Sequence, residues 1–348
     1  MRNAVVILFL VACASAPQRD FTPAIAASRA EVEALMAKEK IPGAAVVVTV
    51  GDRIVWQETY GVTNLDTKTP VRTETRFRVG SLTKLITATV LMRLVEQGRV
   101  RLDDPVSRYL PDFPHGAITL RQLAGHLSGI RHYGQGEFIN STHYANATDS
   151  LRKFAADPLL FLPGEKYFYS SYAYNVIGAV IERVTGKSFD AAVKVLVFDP
   201  LRMSQTSFAG DASAAAFYDK GTSGPQPAPP VDLSDRLPAG AVVMTARDMA
   251  RLLMATSGGR FLSDAARATM FTSQKTSDGK ETGVGIAWRV AVDGQGRTFI
   301  HHGGAVTGGR AMVVVYPRER VAVAIVTNLG FAAFNEKEAG SIARRFLD

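Results

Sequence analysis

Ser81 and Lys84 are the residues whose types and spacing most directly indicate chemistry. They open the apolar stretch SLTKLITATVLMRLVEQG, which ends at Gly98. Its apolar residues cover most of a helix circumference, which predicts a buried helix. Residues three apart share one helix face, so the hydroxyl and the amine lie within reach of each other. A buried lysine tends to lose its proton and can then act as a base toward that hydroxyl.

The position of the pair at a helix N-terminus adds to this interpretation, because the unpaired backbone N–H groups there favour a developing oxyanion. The alternative is that Ser81 caps the helix and Lys84 extends to the surface. The segments 150–153 and 277–280 match the same Ser-x-x-Lys pattern. The first opens a polar stretch and the second spans an Asp-Gly turn, so only Ser81 leads a predicted buried helix.

Composition excludes several other classes of protein. The chain has 348 residues, 47% of them hydrophobic, enough for one large domain or two interleaved ones. The net charge of +8 is scattered, which indicates solubility and attraction to an anionic envelope rather than nucleic-acid binding. There is no phosphate-binding loop and no zinc-ligand spacing among the six histidines. We therefore expect no metal, no cofactor and no nucleic-acid partner.

The first 22 residues read as an export signal and a tether. Arg2 precedes an apolar run over 4–12, which is too short to cross a bilayer, since a crossing takes about 20 residues. Leu-Val-Ala-Cys, ending at Cys13, resembles a bacterial lipobox, in which that cysteine is lipidated. The rival is ordinary cleavage after Ala16. Either way we expect an exported protein, in the periplasm or as an envelope lipoprotein, that associates with the membrane only through Cys13.

Periodicity predicts the order of the remaining elements. A helix over 26–39 precedes a hairpin of two strands, Ala44–Val50 and Arg53–Tyr60. Residues 218–241 are rich in Pro, Gly and Ser and predict a long surface loop. The other predicted elements are helices near Thr119–His126, Asn175–Thr185, 189–197 and Ala246–Thr256, strands Val284–Val292, Arg310–Tyr316 and Val321–Asn328, and a closing helix Asn335–Leu347.

This order predicts an α/β protein of the α+β type. One antiparallel sheet is assembled from both chain ends and flanked by helices. The predicted sheet domain comprises 23–98 and 231–348, and a mainly helical region, 99–230, is inserted between them. There is no alternating βαβ pattern and no Gly-x-Ser-x-Gly turn, which disfavours an α/β-hydrolase.

From about residue 25 to 347 the chain resembles the serine β-lactamase and D-alanyl-D-alanine peptidase superfamily, in its class C β-lactamase-like branch. The resemblance rests on phrases such as FRVGSLTK, LDDPVSRYLP, ITLRQLAGHLSG, LPGEKYFYSS, VIGAVIERVTGKSF and HHGGAVTGG. It implies a β-lactamase/transpeptidase-like fold. In the superfamily's first motif, Ser81 would be the acylated nucleophile and Lys84 its proton partner.

The second motif of this branch, Tyr-x-Asn, falls on Tyr169 and Ser171. By resemblance Tyr169 would relay protons among Ser81, Lys84 and the leaving group. Ser171 replaces the usual asparagine and is shorter, with a hydroxyl instead of an amide. This departure affects recognition of a substrate acylamide more than catalysis. The alternative for Tyr169 is an aromatic core residue.

The third motif is Lys-Thr-Gly or His-x-Gly on a strand beside the nucleophile. His302, Gly303 and Gly304 match it, and the spacing to later residues favours His302 over its neighbour His301. A histidine there can contribute charge or hydrogen bonding toward a substrate carboxylate or toward the motif tyrosine. The glycines would let a substrate approach the backbone. The resemblance also implies an oxyanion hole formed by the backbone N–H groups of Ser81 and Ala305.

The sequence therefore predicts an exported serine hydrolase that acts through an acyl-enzyme on Ser81. The resemblance implies a small-molecule or peptide substrate, and the candidates are D-alanine-type peptides, as in a carboxypeptidase, small esters and β-lactams. His302 and Ser171 favour a peptidase or an esterase over a β-lactamase. The alternative is a non-catalytic penicillin-recognising or peptidoglycan-binding protein on the same fold. Oligomeric state is left open.

Overall fold

The computed structural model describes residues 19–208, 214–259 and 261–347. Cys13 and the predicted export signal lie outside the described residues. The strands are β1 (Gly43–Val50), β2 (Arg53–Gly61), β3 (Phe77–Arg78), β4 (Ser207–Phe208), β5 (Tyr218–Lys220), β6 (Pro225–Pro227), β7 (Val242–Met244), β8 (Arg289–Val292), β9 (Thr298–Val306), β10 (Gly309–Tyr316), β11 (Val321–Thr327) and β12 (Leu329–Gly330). The helices are α1 (Thr22–Glu39), α2 (Thr83–Glu96), α3 (Leu120–Ala124), α4 (Ser171–Thr185), α5 (Phe189–Val193), α6 (Leu237–Gly240), α7 (Ala246–Ser257), α8 (Asp264–Phe271) and α9 (Glu336–Arg344).

The main sheet joins the two ends of the chain. Its six strands run in the order β2-β1-β11-β10-β9-β8, and every neighbouring pair is antiparallel. The junction is the β1–β11 pair, where Val47 faces Ala324 in the register. The predicted antiparallel sheet assembled from both chain ends is thus confirmed.

Helices cover both faces of this sheet, and β1 and β11 are therefore buried on both sides. Successive side chains of a strand point to opposite faces. Val47 of β1 joins the large core with residues of α2, α4 and α7. Val46 and Val48 join the second core, which contains residues of α1 and α9. Among the described residues no helix is both long and apolar enough to cross a membrane.

The predicted elements near the site form with shifted boundaries. The buried helix after Ser81 begins as a 3₁₀ turn, Gly80–Leu82, and continues as α2. Helix α4 begins at Ser171 rather than at Asn175, and it ends where Gly186 adopts a left-handed conformation with φ of 68°. Periodicity alone did not predict β9 or α8 as separate elements.

The prediction of one long surface loop over 218–241 is wrong. Its first part pairs β5 with β6 and with β12, and its last part forms α6. Asp235 is completely buried, where its carboxylate accepts from Lys153 and Arg236, each at 2.6 Å. The Pro and Gly content of this stretch indicates a loop. The ion pairs of Asp235 with Lys153 and Arg236 nevertheless allow these charged residues to be buried. The boundaries of the inserted helical region, 99–230, stay a prediction.

The close approach of β9 to the turn that carries Ser81 can be tested by substitution of Gly304. A Cβ on Gly304 would lie 1.9 Å from the carbonyl oxygen of Val79, so Gly304→Ala must push the strand away. We expect a loss of about 1–3 kcal/mol in the free energy of unfolding in urea, together with reduced activity. Gly294→Ala is the matched control, because a Cβ there meets nothing within 4 Å. Equal stability of the two variants would contradict the close approach.

Candidate active site

The turn that carries Ser81 is fixed from two sides. Before it, β3 pairs with β7, and the N–H of Val79 donates to the carbonyl of Val242 at 3.1 Å. After it, the hydroxyl of Thr83 donates to the carbonyl of Gly80 at 2.8 Å and accepts from the N–H of Val242 at 3.2 Å. The nucleophile candidate therefore stands on a buried, hydrogen-bonded turn and not on a mobile loop.

Lys84 is completely buried one residue into α2. Its Nζ lies 3.1 Å from Ser81 Oγ, 3.0 Å from Ser171 Oγ and 2.7 Å from the carbonyl oxygen of Ala239. Helix α2 has no side-chain cap, and its N-cap residue is Leu82. The alternative in which Ser81 caps the helix and Lys84 reaches the surface is therefore wrong.

The surroundings of Lys84 favour a neutral amine. Burial lowers the pKa of Lys84 well below its ordinary value, and the positive charges of Arg236 and Arg289 add to this effect. None of its three partners is a carboxylate. A neutral amine has two N–H donors and one lone pair. The donors suit Ser171 and the Ala239 carbonyl, which leaves the lone pair for the hydroxyl proton of Ser81.

The other two Ser-x-x-Lys segments have different surroundings. Lys153 forms an ion pair with the buried Asp235 at 2.6 Å. Lys280 is exposed and forms an ion pair with Asp278 at 2.7 Å. Each of these two lysines thus has a carboxylate partner, which Lys84 lacks.

Tyr169 lies beside this pair, two residues before α4 begins. Its ring centroid is 5.0 Å from Lys84 Nζ and 5.6 Å from the guanidinium carbon of Arg289. Burial raises the pKa of Tyr169, although a hydrogen bond with Ser81 and the charge of Arg289 act in the opposite direction. These surroundings favour a neutral phenol next to a neutral amine. Such a phenol can deliver a proton, and the amine is the better base.

Strand β9 presents the third predicted motif with alternate residues on opposite faces. His301, Gly303 and Ala305 line the cleft that contains Ser81, whereas His302 and Gly304 are buried on the other face. The His302 ring lies 6.3 Å from that of Tyr169, and its Nδ1 donates to the carbonyl of Gly303 at 2.7 Å. Burial lowers the pKa of His302 well below its ordinary value, with help from nearby positive charges. Its surroundings thus favour a neutral ring whose Nδ1 bonds to the backbone, and the role predicted for His302 toward a substrate carboxylate or Tyr169 stays a prediction.

The predicted oxyanion hole rests on close contact of two backbone segments. A Cβ on Gly80 would lie 2.9 Å from the backbone nitrogen of Ala305, and one on Gly304 would lie 3.2 Å from the nitrogen of Ser81. The left-handed φ of Gly80, 52°, further favours glycine there. Ser81 and Ala305 both line the cleft. Two backbone N–H groups beside the nucleophile are what stabilisation of an oxyanion requires.

The cleft has a volume of about 380 Å³ and is rich in arginine. Arg236, Arg289 and Arg310 line it, together with His132 and an aromatic pair, Phe138 and Phe331, whose ring centroids are 5.7 Å apart. Sequence reasoning missed these residues, because they come from distant segments and belong to no local motif. Only the fold brings their side chains together around Ser81.

Comparison with known proteins is consistent with this geometry. A family model described as Beta-lactamase matches residues 29–345. The chain belongs to the beta-lactamase family. Penicillin-binding protein 4 of Amycolatopsis lactamdurans is 32% identical over 328 residues, which cover 86% of this chain and 84% of that protein. Esterase EstB of Burkholderia gladioli is 34% identical over 189 residues, which cover 49% of this chain and only 48% of the esterase.

A solved structure extends the similarity to the whole fold. A D-stereospecific amidohydrolase from Streptomyces sp. superposes with a TM-score of 0.76 at 26% identity, covering 91% of this chain and 98% of that one. The predicted β-lactamase/transpeptidase-like fold is therefore confirmed. The roles predicted for individual residues of this beta-lactamase-family site stay predictions, although the structure brings Ser81, Lys84, Tyr169 and Ser171 together.

The charge of Arg289 gives a testable pH dependence. Arg289→Gln removes a cation that lowers the pKa of Lys84, so the amine should keep its proton to higher pH. We expect the acid limb of the kcat/KM profile for p-nitrophenyl acetate to move to higher pH, by the order of one pH unit. Arg53→Gln, on the exposed start of β2, should leave the limb in place. A limb that stays or moves to lower pH in Arg289→Gln would show that Lys84 is not the titrating base.

Proposed function

We propose that this protein is a serine hydrolase that forms an acyl-enzyme on Ser81. The observation that carries the proposal is the buried Lys84 amine, which lies 3.1 Å from the Ser81 hydroxyl with no carboxylate among its partners. Burying a cation without an acidic partner costs several kcal/mol. A lysine that is neutral in the resting site avoids that cost and can act as a base toward the serine hydroxyl.

The geometry supports a two-step reaction. Ser81 Oγ attacks a substrate carbonyl carbon and gives its proton to Lys84 Nζ, while the carbonyl oxygen becomes an oxyanion facing the N–H groups of Ser81 and Ala305. As the bond to the leaving group breaks, Tyr169 protonates that group, and the proton held by Lys84 returns to the tyrosine. Water then attacks the ester on Ser81 by the same route, which releases the acid and restores the serine hydroxyl.

Arg289 supports a substrate with a carboxylate close to the scissile bond. Its guanidinium lines the cleft beside Tyr169, and no hydrogen bond or ion pair occupies it within the described part of the chain. An arginine binds a carboxylate through paired, charge-assisted hydrogen bonds. Among the candidate substrates, a peptide that ends in D-alanine offers such a group. The relatives named as a penicillin-binding protein and a D-stereospecific amidohydrolase point to the same class.

The decisive assay follows p-nitrophenyl acetate turnover by protein that lacks residues 1–18. We expect a burst of one p-nitrophenolate per site and then steady turnover, because the activated ester acylates Ser81 faster than water releases the acyl group and the acyl-enzyme accumulates. Ser81→Ala should abolish both phases.

A peptide assay tests recognition of the substrate carboxylate. A peptide ending in D-alanyl-D-alanine should be cleaved at least about tenfold more efficiently than its C-terminal amide, since a charge-assisted hydrogen bond contributes about 1.5–3 kcal/mol.

The alternative has a clear signature in that assay. A non-catalytic penicillin-recognising or peptidoglycan-binding protein would retain a labelled penicillin or bind peptide, with equal p-nitrophenyl acetate rates in the wild type and Ser81→Ala. The joint presence of Ser81, Lys84 and Tyr169 in hydrogen-bonding surroundings favours turnover over this alternative.

We also propose that the protein is exported and anchored through a lipid on Cys13, because that cysteine ends a lipobox-like sequence. The full-length chain expressed in a bacterium should incorporate labelled palmitate and sediment with membranes. Cys13→Ser should lose the label and leave the membrane fraction. A processed, unlabelled wild type that begins after Ala16 would instead establish ordinary signal cleavage.

A further inference from the structure

One short segment of the chain, 126–132, holds the residues on both sides of Tyr169. The carbonyl of His126 accepts from the N–H of Phe168 at 2.9 Å, and its Nδ1 accepts from the N–H of Ser170 at 3.2 Å. Further along, Nδ1 of His132 accepts from the N–H of Ser171 at 3.2 Å. Two imidazoles therefore accept from consecutive N–H groups at the start of α4.

The same two rings pack against the Tyr169 side chain. The centroid of the His126 ring is 4.4 Å from that of Tyr169, with the planes tilted by 36°. The His132 ring meets Tyr169 edge to face at 5.4 Å. Tyr169 is thus held by its neighbours' backbone and by direct ring contacts, all from the segment 126–132.

The conformation of His126 indicates that the surrounding structure enforces this arrangement. Its backbone φ is 60°, in the left-handed region that few non-glycine residues adopt, although histidine does so more often than most, and the residue is only 1% exposed. Backbone strain of this kind persists only where the surrounding structure over-determines it, and it clusters at functional sites.

Both imidazoles must be neutral to accept at Nδ1, with the proton on Nε2. An imidazolium would direct an N–H at a backbone N–H and place positive charge at the positive end of α4. Burial lowers the pKa of His126 well below its ordinary value, and the positive charge of Arg289 adds to this effect. Burial and the charge of Arg236 lower the pKa of His132 to about 4. Burial and the neighbouring arginines therefore preserve the two acceptors at neutral pH.

We propose that His126 and His132 are positioning residues, which fix the first turn of α4 so that Tyr169 faces Ser81 and Ser171 Oγ stays 3.0 Å from Lys84 Nζ. The first N–H groups of a helix have no partner within the helix. The Ser170 side chain caps only the N–H of Ala173. The imidazoles satisfy the earlier N–H groups of Ser170 and Ser171 and thereby set the rotation of the turn. This inference rests on the proposed function.

The test compares two substitutions of His132, which is half-buried at the cleft. His132→Asn retains an acceptor near the position of Nδ1 but loses the ring. His132→Phe retains a ring but leaves the N–H of Ser171 without an acceptor. We expect the acylation rate constant for p-nitrophenyl acetate to fall ten- to hundredfold in His132→Phe, as expected for an unsatisfied buried donor. It should fall no more than about threefold in His132→Asn, with KM changed less than threefold in both.

A second readout, amide hydrogen exchange of Ser170 and Ser171 by NMR, does not depend on activity. We expect faster exchange of the Ser171 amide in His132→Phe and near-native exchange in His132→Asn. His132→Leu replaces the Phe variant if thermal unfolding shows that the latter does not fold. Equal acylation rates in the Asn and Phe variants, or unchanged exchange in His132→Phe, would overturn the positioning role. Equal turnover of p-nitrophenyl acetate by the wild type and Ser81→Ala would refute the proposed function, and the exchange data would then test only whether His132 orders the start of α4.

Discussion

The amine of Lys84 is the constraint around which this site is built. It is fully buried, and its three partners are two hydroxyls and one backbone carbonyl. These groups solvate an amine but cannot neutralise an ammonium, so the environment favours the neutral form. Each partner comes from a different part of the chain: the turn before α2, the start of α4 and helix α6. The position of one nitrogen therefore depends on the docking of three elements.

Electrostatics and hydrogen bonding act together in this arrangement. Burial lowers the pKa values of Lys84 and of the neighbouring histidines, and the positive charges of Arg236 and Arg289 add to this effect. The excess positive potential would be costly in a resting protein. It becomes favourable when an anionic substrate or an oxyanion enters the cleft, which connects the arginine-rich lining to the proposed chemistry.

Backbone proximity is the second requirement. Strand β9 approaches the Ser81 turn so closely that neither Gly80 nor Gly304 has room for a side chain. The contact joins a segment near the start of the chain to one near its end, and the β1–β11 pairing makes it possible. The sheet is thus both the main core element and the device that places the Ala305 backbone next to the nucleophile.

The sequence by itself determined the elements whose signals are local. The apolar run after Ser81, the hairpin of β1 and β2, and the paired strands β10 and β11 follow from periodicity, and the Ser81–Lys84 pair follows from helical spacing. Resemblance to a family, rather than periodicity, singled out Tyr169 among several tyrosines and placed a motif on β9. Only the tertiary structure decided that Asp235 and Arg236 are buried and that Arg289 reaches the cleft. It also decided that His126 and His132 accept hydrogen bonds from the start of α4. These features depend on contacts between residues far apart in the chain, whose energies leave no periodic trace in the sequence.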